Sequence, residues 1–227
     1  MQESRRTTEV IFENSDLLAV YKPKGLPTVP LRNKEGDSLL REIASDYPEV
    51  ARVKAEKEWE GGIIHRLDTP TSGIVIAARN DETYQYLINA QKNNLIVKHY
   101  IARTGPSSEL LPGFEPFPYT FRGSTLEIAS YFRSYGERGA SVRPVLNNPR
   151  YIKGIIYTTI VNRTSEPDTF ECIITRGFRH QIRCHLSWSG NPIIGDDRYG
   201  GAENEDLLLE AVKVELPYDG RILTIEV

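Results

Sequence analysis

The chain has 227 residues, of which 39% are hydrophobic, and it carries a net charge of −3. This length and composition suit a globular protein with a substantial buried core. No apolar run reaches the roughly 18 residues of a membrane-spanning helix, and the opening residues "MQESRRTTEV" lack the apolar stretch of a secretory signal. The sequence therefore predicts a cytoplasmic protein with no membrane attachment.

The first half of the chain shows strand and helix patterns in turn. "EVIFENSDLLAVYKP" predicts two short strands around a turn at Asn14, and a helix follows that begins after Asp37 or Ser38. Residues 45–62 are charged and predict a surface connection. "SGIVIAA" is an apolar run of strand length, and Asn80 or Asp81 would cap a helix over "ETYQYLINAQKN".

Strand patterns dominate the rest of the chain. "LIVKHYIART", "GIIYTTIVNRT", "TFECIITR" and "RILTIEV" predict four more strands. Residues 105–153 contain many prolines and predict a long irregular insertion or a set of short strands. "GFRHQIRCHLSWSG" predicts a helix of about three turns that ends before Gly190. We therefore expect an α+β fold with a mixed, mostly antiparallel sheet flanked by helices and loops.

The cysteines and histidines favour neither a disulfide nor a metal site. Cys172 and Cys184 stand in the apolar contexts "FECIIT" and "IRCHL", which is typical of two separate core thiols. The histidines lack the paired spacing of a zinc site. They are His65, His99, His180 and His185.

Charge is unevenly distributed along the chain. Residues 202–227 are predominantly acidic, whereas residues 130–163 are predominantly basic. The basic block contains Arg133, Arg138, Arg143, Arg150, Lys153 and Arg163 against the single acid Glu137. A local basic surface is compatible with a nucleic-acid partner, and a solvated face explains the same pattern.

Three ionisable side chains stand side by side in "IIHRLDTPTSGIVIAA", directly before a predicted buried strand. Asp68, which precedes Thr69 and Pro70, is most simply an Asx-turn acceptor or a cap. The alternative is a functional carboxylate, because a neighbouring cation can hold a partly desolvated carboxylate ionised as a nucleophile or base. The segment by itself allows both interpretations.

A second cluster lies in "TRGFRHQIRCHL", where Arg176 and Arg179 stand at the beginning of the predicted helix. The helix macrodipole disfavours cations there unless an anion is bound, and Gly177 would let the backbone approach such an anion. His180 and Arg183 are three residues apart and would share one helix face, from which Arg183 can reach a carboxylate. A basic, solvated helix face is the competing interpretation.

Tyr100 stands in the predicted strand "VKHYIA". A strand tyrosine usually packs in the core with its hydroxyl satisfied. Its alternative role is to stack on a planar ligand such as an extruded base.

Five ordered blocks resemble the RluA-type pseudouridine synthases. "LLAVYKPKGLPTVP" comes first, and HRLD-x-x-TSG and K-x-Y-x-A follow at residues 65–73 and 98–102. Blocks similar to G-R-x-H-Q-I-R-x-H and G-x-P-I-x-G-D-x-x-Y-G then occupy residues 177–185 and 190–200. Because they keep one order over most of the chain, the blocks are far more specific than any single motif.

The resemblance implies one catalytic domain over residues 1–227, with an active-site cleft across the sheet. It makes Asp68 the essential aspartate, Tyr100 the aromatic residue that packs against the target uracil, and Arg183 the cation that pairs with the aspartate. It also implies a set of substrate-binding residues, in which Arg66 helps to open the base stack. This set is His65, Arg66, Arg179, His180, Gln181 and Ile182.

Two features depart from the family pattern. The arginine that follows the glycine in the fourth block is Phe178 here, so that either Arg179 takes over its phosphate contact or Phe178 lines the site. Members of this branch often begin with an S4 RNA-binding domain, whereas a strand is predicted within the first residues of this chain. We therefore expect no N-terminal S4 domain, and RNA held by the catalytic domain alone.

The implied reaction converts specific uridines of structured ribosomal or transfer RNA to pseudouridine. Uracil is detached at N1, rotated and reattached through C5, which requires neither a metal nor another cofactor, and the base must first leave its stack. Asp68 would attack C1′ of ribose or C6 of uracil, or take the 2′ proton toward a glycal. We expect a monomer with no obligatory protein partner.

Two other functions use the same residues. A catalytically silent RNA-binding or ribosome-assembly factor could retain this fold. A metal-dependent nuclease could use Asp68 with His65 and His180, but the sequence offers no further acid near these blocks to complete a metal site.

Overall fold

The structure is a computed structural model that describes residues 7–30, 36–107, 110–147 and 154–227. The strands of these residues are β1 (Glu9–Glu13), β2 (Leu17–Lys22), β3 (Ser72–Ala78), β4 (Val97–Arg103), β5 (Thr125–Tyr135), β6 (Ser141–Val145), β7 (Tyr157–Arg163), β8 (Thr169–Ile174), β9 (Leu209–Tyr218) and β10 (Arg221–Glu226). The helices are α1 (Leu39–Asp46), α2 (Pro48–Arg52), α3 (Asp81–Lys92) and α4 (Gln181–Trp188).

The chain divides into two compact units. The first unit comprises Met1–Lys98 and Glu210–Val227, and the second comprises His99–Leu209. The single catalytic domain expected over residues 1–227 stays a prediction.

The first unit is built on a sheet in which β1, β2, β3, β9 and β10 follow one another. β2 and β3 pair antiparallel, from Leu17 opposite Ala78 to Lys22 opposite Gly73. Every residue of both strands is buried. Helix α3 supplies further side chains to the core, and Asn80 caps it by accepting the Thr83 N–H at 2.8 Å.

The strand after the HRLD block begins at a close backbone contact. β3 pairs in parallel with β9 through Ser72 and Gly73. Gly73 has φ +118°, and a Cβ there would stand 2.2 Å from the Ala211 carbonyl oxygen. Only glycine fits this position, because any side chain would push β3 away from β9.

The second unit contains a mainly antiparallel arrangement in which β8, β7, β5 and β6 follow one another, with β4 next to β8. Helix α4 is buried along its whole length. It ends as the sequence predicts, since Gly190 has φ +78° and Asn191 donates its N–H to the Leu186 carbonyl at 2.9 Å. Cys172 and Cys184 lie in this unit as buried free thiols.

The α+β class with a mostly antiparallel sheet is confirmed, and so are the two strands around Asn14 and the capped helices α1 and α3 of the first unit. The secondary structure differs from the sequence analysis in three places. Residues 45–62 contain α2 and a 3₁₀ turn rather than a plain connection, β9 was not predicted, and residues 105–153 contain the 11-residue strand β5. Of that segment, residues 108–109 and 148–153, with Arg150 and Lys153 of the basic block, lie outside the described residues.

No helix in the described ranges is both long enough and apolar enough to cross a membrane.

Candidate active site

Asp68 lies in the first unit, in the loop that leads into β3, and it is half-buried. The main chain is fixed on both sides of it. The hydroxyl of Thr28 donates to the Leu67 carbonyl at 2.9 Å and accepts the Leu67 N–H at 3.1 Å. On the other side, the Thr71 N–H closes a turn onto the Asp68 carbonyl at 3.0 Å. Backbone hydrogen bonds thus set the direction in which the Asp68 side chain leaves the loop.

Lys22 anchors the same loop from the end of β2. Its fully buried ammonium donates to the carbonyls of Pro23 (2.9 Å), Leu26 (2.7 Å) and Thr69 (3.2 Å). Burial lowers the pKa of Lys22 to about 8, and the attraction of Asp68 opposes that shift. The block "LLAVYKPKGLPTVP" therefore supports the Asp68 loop through the hydrogen bonds of Lys22 and Thr28. No role was predicted for either residue from the sequence.

His65 and Arg66 precede Asp68 but occupy different surroundings. His65 is buried, and its Nε2 accepts the Ile76 N–H of β3 at 3.3 Å. Burial, helped by the charge of Lys98, lowers the pKa of His65 to about 3. Its Nδ1 is buried and has no hydrogen-bond partner among the described residues. Arg66 is exposed and pairs with Glu60 at 2.9 Å.

Tyr100 and Arg183 lie in the second unit. Tyr100 is a buried residue of β4, with 5% of its surface exposed. Arg183 is in the first turn of α4, and its Nε and Nη2 both donate to the carboxylate of Asp196, each at 2.7 Å. The side chains of this pair are 2% and 0% exposed. Such a two-point contact fixes the plane of the guanidinium as well as its position.

Asp196 is held as firmly as the arginine it pairs with. Its Oδ1 also accepts the N–H groups of Arg198 at 3.1 Å and Tyr199 at 3.2 Å. A second acid, Asp197, stands 3.7 Å from Arg183 but is 82% exposed. The sequence contains Asp196 in the block "GNPIIGDDRYGG", although no role was assigned to it there.

Helix α4 begins later than predicted. It has eight residues and starts at Gln181, while His180 stands before it with a left-handed φ of 57°. His180 and Arg183 therefore do not share a helix face, and that expectation was wrong. The ring Nδ1 of His180 lies 3.1 Å from the Tyr199 hydroxyl.

Gln181 fastens the start of α4 to its surroundings. Its Nε2 donates to the Thr158 carbonyl at 2.9 Å and to the Thr159 hydroxyl at 3.1 Å, while its Oε1 accepts the Phe178 N–H at 2.9 Å. Ile182 is buried. Both residues thus have packing roles within the second unit, whereas Phe178 and Arg179 are exposed.

His185 is a buried histidine that the sequence did not single out. Its Nε2 lies 2.9 Å from the Ser130 hydroxyl, and its Nδ1 lies 2.9 Å from the Thr159 hydroxyl. Burial lowers the pKa of His185 to about 3. No group of three or more His, Cys, Asp or Glu side chains within the described ranges is arranged to hold a metal ion.

The sequence that forms these elements matches a known family. The sequence model of the family described as RNA pseudouridylate synthase matches residues 16–188. The chain belongs to the RNA pseudouridylate synthase family. The predicted family is thereby confirmed, and with it the enzyme class, since members of this family are isomerases that convert uridine in RNA to pseudouridine.

Individual synthases of known sequence align over most of the chain. The dual-specificity RNA pseudouridine synthase RluA of Vibrio vulnificus is 29% identical over 193 residues, which are 85% of this chain and 69% of the relative. An uncharacterized RNA pseudouridine synthase of Helicobacter pylori is 27% identical, over 92% of this chain and 62% of the relative. The ribosomal large subunit pseudouridine synthase D of Haemophilus ducreyi is 26% identical, over 85% and 52%. The chain thus spans about half to two thirds of their length.

Two solved human structures share the fold. RNA pseudouridylate synthase domain containing 1 superposes with a TM-score of 0.69 at 17% identity, covering 100% of this chain and 85% of its own. RNA pseudouridylate synthase domain containing 4 gives a TM-score of 0.64 at 19% identity, covering 96% and 87%. The synthase family model includes every predicted site residue but stops before Asp196.

Proposed function

We propose that this chain isomerises specific uridines of structured RNA to pseudouridine, with Asp68 as the reacting carboxylate. The observation that carries the proposal is the setting of Asp68, a half-buried acid in the family's HRLD block whose main chain is anchored through Thr28, Lys22 and Thr71. An anchored loop holds a reacting group in one geometry, which is a large part of its catalytic power.

The reaction conserves all atoms of the nucleoside except for an exchange of protons. The bond between N1 and C1′ breaks, a bond between C5 and C1′ forms, C5 loses its proton and N1 gains one. Asp68 initiates these changes by attack at C1′ or at C6, or by removal of the 2′ proton. In this proposal Arg183 is the cation that holds the carboxylate ionised, and Tyr100 stacks on the uracil.

The substrate-binding set proposed from the family blocks is His65, Arg66, Arg179, His180, Gln181 and Ile182. The exposed members Arg66 and Arg179 are suited to direct RNA contact. The buried members His65, Gln181 and Ile182 act by supporting the loop before β3 and the start of α4. The names of the curated relatives make ribosomal RNA the first candidate substrate, with transfer RNA as the other.

The decisive experiment is Asp68→Asn assayed with RNA that carries tritium at C5 of uridine. Tritium release should fall by about a thousandfold or more, because the amide is neither nucleophile nor base, while RNA affinity stays within a few-fold. Asp46→Asn, an exposed residue at the end of α1, is the matched control and should behave as the wild type. Full activity of Asp68→Asn would refute the assignment. RNA binding without tritium release by the wild type would favour a silent RNA-binding factor.

Tyr100→Phe separates stacking from proton transfer. The ring remains, so RNA affinity should be unchanged, while kcat should fall by about a hundredfold if the hydroxyl assists removal of the C5 proton. Steady-state kinetics of tritium release measure both quantities. Tyr86→Phe, an exposed tyrosine of α3, is the control. A kcat equal to that of the wild type would remove the hydroxyl from the mechanism.

A further inference from the structure

A turn of the second unit gathers arginines on one surface. Arg179 donates through Nη2 to the carbonyls of Gly139 (2.6 Å) and Ser141 (3.2 Å). Arg198 donates through Nη1 to the carbonyl of Ala140 at 3.4 Å. Arg138 lies in the same turn, and we call Arg138, Arg179 and Arg198 the arginine surface. The guanidiniums of Arg179 and Arg198 are thus oriented by main-chain carbonyls. Because a carbonyl is neutral, these contacts leave the positive charge of both arginines in place.

The charge of this surface is positive. Within the described residues, neither Arg179 nor Arg198 pairs with a carboxylate. Arg138 stands 3.8 Å from Glu137, but both side chains are more than 90% exposed, so that solvent screens this pair. Asp197, which directly precedes Arg198, is 82% exposed and adds one acid beside the three arginines. An anionic partner would therefore meet several cations here.

An exposed aromatic ring adjoins the arginine surface. Phe178 directly precedes Arg179 and is 37% exposed. Phe132 covers one face of its ring, with centroids 5.0 Å apart and planes 5° from parallel, and Tyr157 packs obliquely at 5.0 Å. With Phe132 and Tyr157 against it, 37% of Phe178 stays exposed. The exposed part of this ring is a surface on which a base can stack.

We propose that Phe178 and the arginine surface hold a single-stranded segment of the substrate RNA, with one base stacked on Phe178 and neighbouring phosphates on Arg179 and Arg198. The inference rests on the proposed function in taking RNA as the substrate. An aromatic platform beside guanidiniums matches the alternation of base and phosphate along a strand. Guanidiniums also suit phosphate because they can bond it at two points. Arg138 adds charge at the exposed end of the turn.

The stacking contact is tested with a 15-nucleotide single-stranded RNA probe, on the order of the site sizes known for such surfaces, that carries 2-aminopurine. Phe178→Ala should weaken binding of this probe by roughly tenfold and abolish the quenching of its fluorescence on binding. Phe178→Trp should restore both. Phe178→Leu preserves apolar packing on Phe132 and should bind as poorly as the alanine variant, which keeps the test valid if the alanine variant does not fold. Tyr86→Ala on α3 is the exposed-aromatic control.

The phosphate contacts are tested by salt dependence. The double variant Arg179→Ala, Arg198→Ala should lower the slope of log affinity against log salt concentration by about 1.4, since each phosphate contact on a single strand contributes about 0.7. Arg52→Ala, an exposed arginine at the end of α2, should leave the slope unchanged.

The proposal is overturned if Phe178→Ala quenches and binds the probe as the wild type does, or if the double arginine variant keeps the wild-type slope. A surface that serves a protein partner gives this result. Failure of the proposed function is distinguishable, because it appears as absence of tritium release by the wild type, whereas the probe measures binding without turnover. Where turnover is present, Phe178→Ala should raise KM and leave kcat within a few-fold.

Discussion

The loop of Asp68 and the helix of Arg183 are positioned in opposite ways. Asp68 is half-buried, and the contacts that hold it run through the main chain around it, from Thr28, Lys22 and the Thr71 turn. Arg183 is buried, and its side chain is held by the carboxylate of Asp196. A loop anchored by its backbone keeps its direction whatever side chain it carries, whereas a buried cation depends on one partner.

This difference predicts unequal sensitivity to mutation. Removing one partner of a buried ion pair leaves an uncompensated charge, which costs more than losing neutral hydrogen bonds. The ion pair of the second unit should therefore be the most sensitive to substitution, and the neutral anchor of the first unit the least sensitive.

Asp196→Asn should have the largest effect. The amide cannot neutralise Arg183, so the free energy of unfolding should fall by about 3–5 kcal/mol, as measured by urea denaturation. Turnover should fall as well, because the guanidinium loses its fixed plane. Asp197→Asn is the matched control, since Asp197 is 82% exposed and its loss should change stability by no more than about 0.5 kcal/mol. Equal effects of the two substitutions would contradict the buried-pair account.

The two buried histidines, His65 in the first unit and His185 in the second, should make stability fall in acid. Both have folded-state pKa values lowered to about 3, so between pH 6.5 and 3 the unfolded chain binds more protons than the folded chain. Their contribution is complete above pH 6.5 and is lost as pH falls. Each should account for about 2 kcal/mol of stability lost between pH 7 and pH 5.

The measurement is urea unfolding at the two pH values for wild type, His65→Gln and His185→Gln. Each variant should lose about 2 kcal/mol less than the wild type on acidification. A wild-type pH dependence in either variant would show that its histidine is not held neutral, and a difference between the variants would show which unit excludes protons more strongly.

Thr28→Val should have the smallest effect. It keeps the shape of the side chain but leaves the Leu67 N–H and carbonyl without the Thr28 hydroxyl, which should lower the free energy of unfolding by about 1–2 kcal/mol. Turnover should fall several-fold, because the backbone next to Asp68 is less restricted. Thr164→Val, in the turn after β7, removes hydroxyl bonds far from this loop in sequence and is the control. If Thr28→Val lowered the free energy of unfolding as much as Asp196→Asn does, the two sites would not differ in sensitivity as proposed.

Local patterns predicted much of the fold, and two strands show where they failed. The turn at Asn14, the cap at Asn80 and the glycine after α4 were readable because each depends on a few adjacent residues. β9 buries Leu209, Ala211, Val214 and Leu216, but the alternation is broken at Val212 and Lys213, and its acids were grouped with an acidic tail. β5 places Ser130 among its buried residues, which interrupts the apolar alternation.

The start of α4 shows a different limit. A helix is recognised by its periodicity, yet its first residue depends on backbone angles that periodicity does not report. The left-handed φ of His180 makes Gln181 the first helical residue, and the side chain of Gln181 bonds to Thr158 and Thr159, more than 20 positions away.

The sequence by itself determined the family, the fold class and the identity of the acid, the aromatic residue and the arginine proposed for the site, because these follow from short blocks of residues. Tertiary structure alone decided what holds them: Asp196 for Arg183, and Thr28 and Lys22 for the Asp68 loop. Those partners are set by side-chain directions and distances across folded elements, which no local pattern encodes. A buried charge or carbonyl must find a partner wherever the fold supplies one.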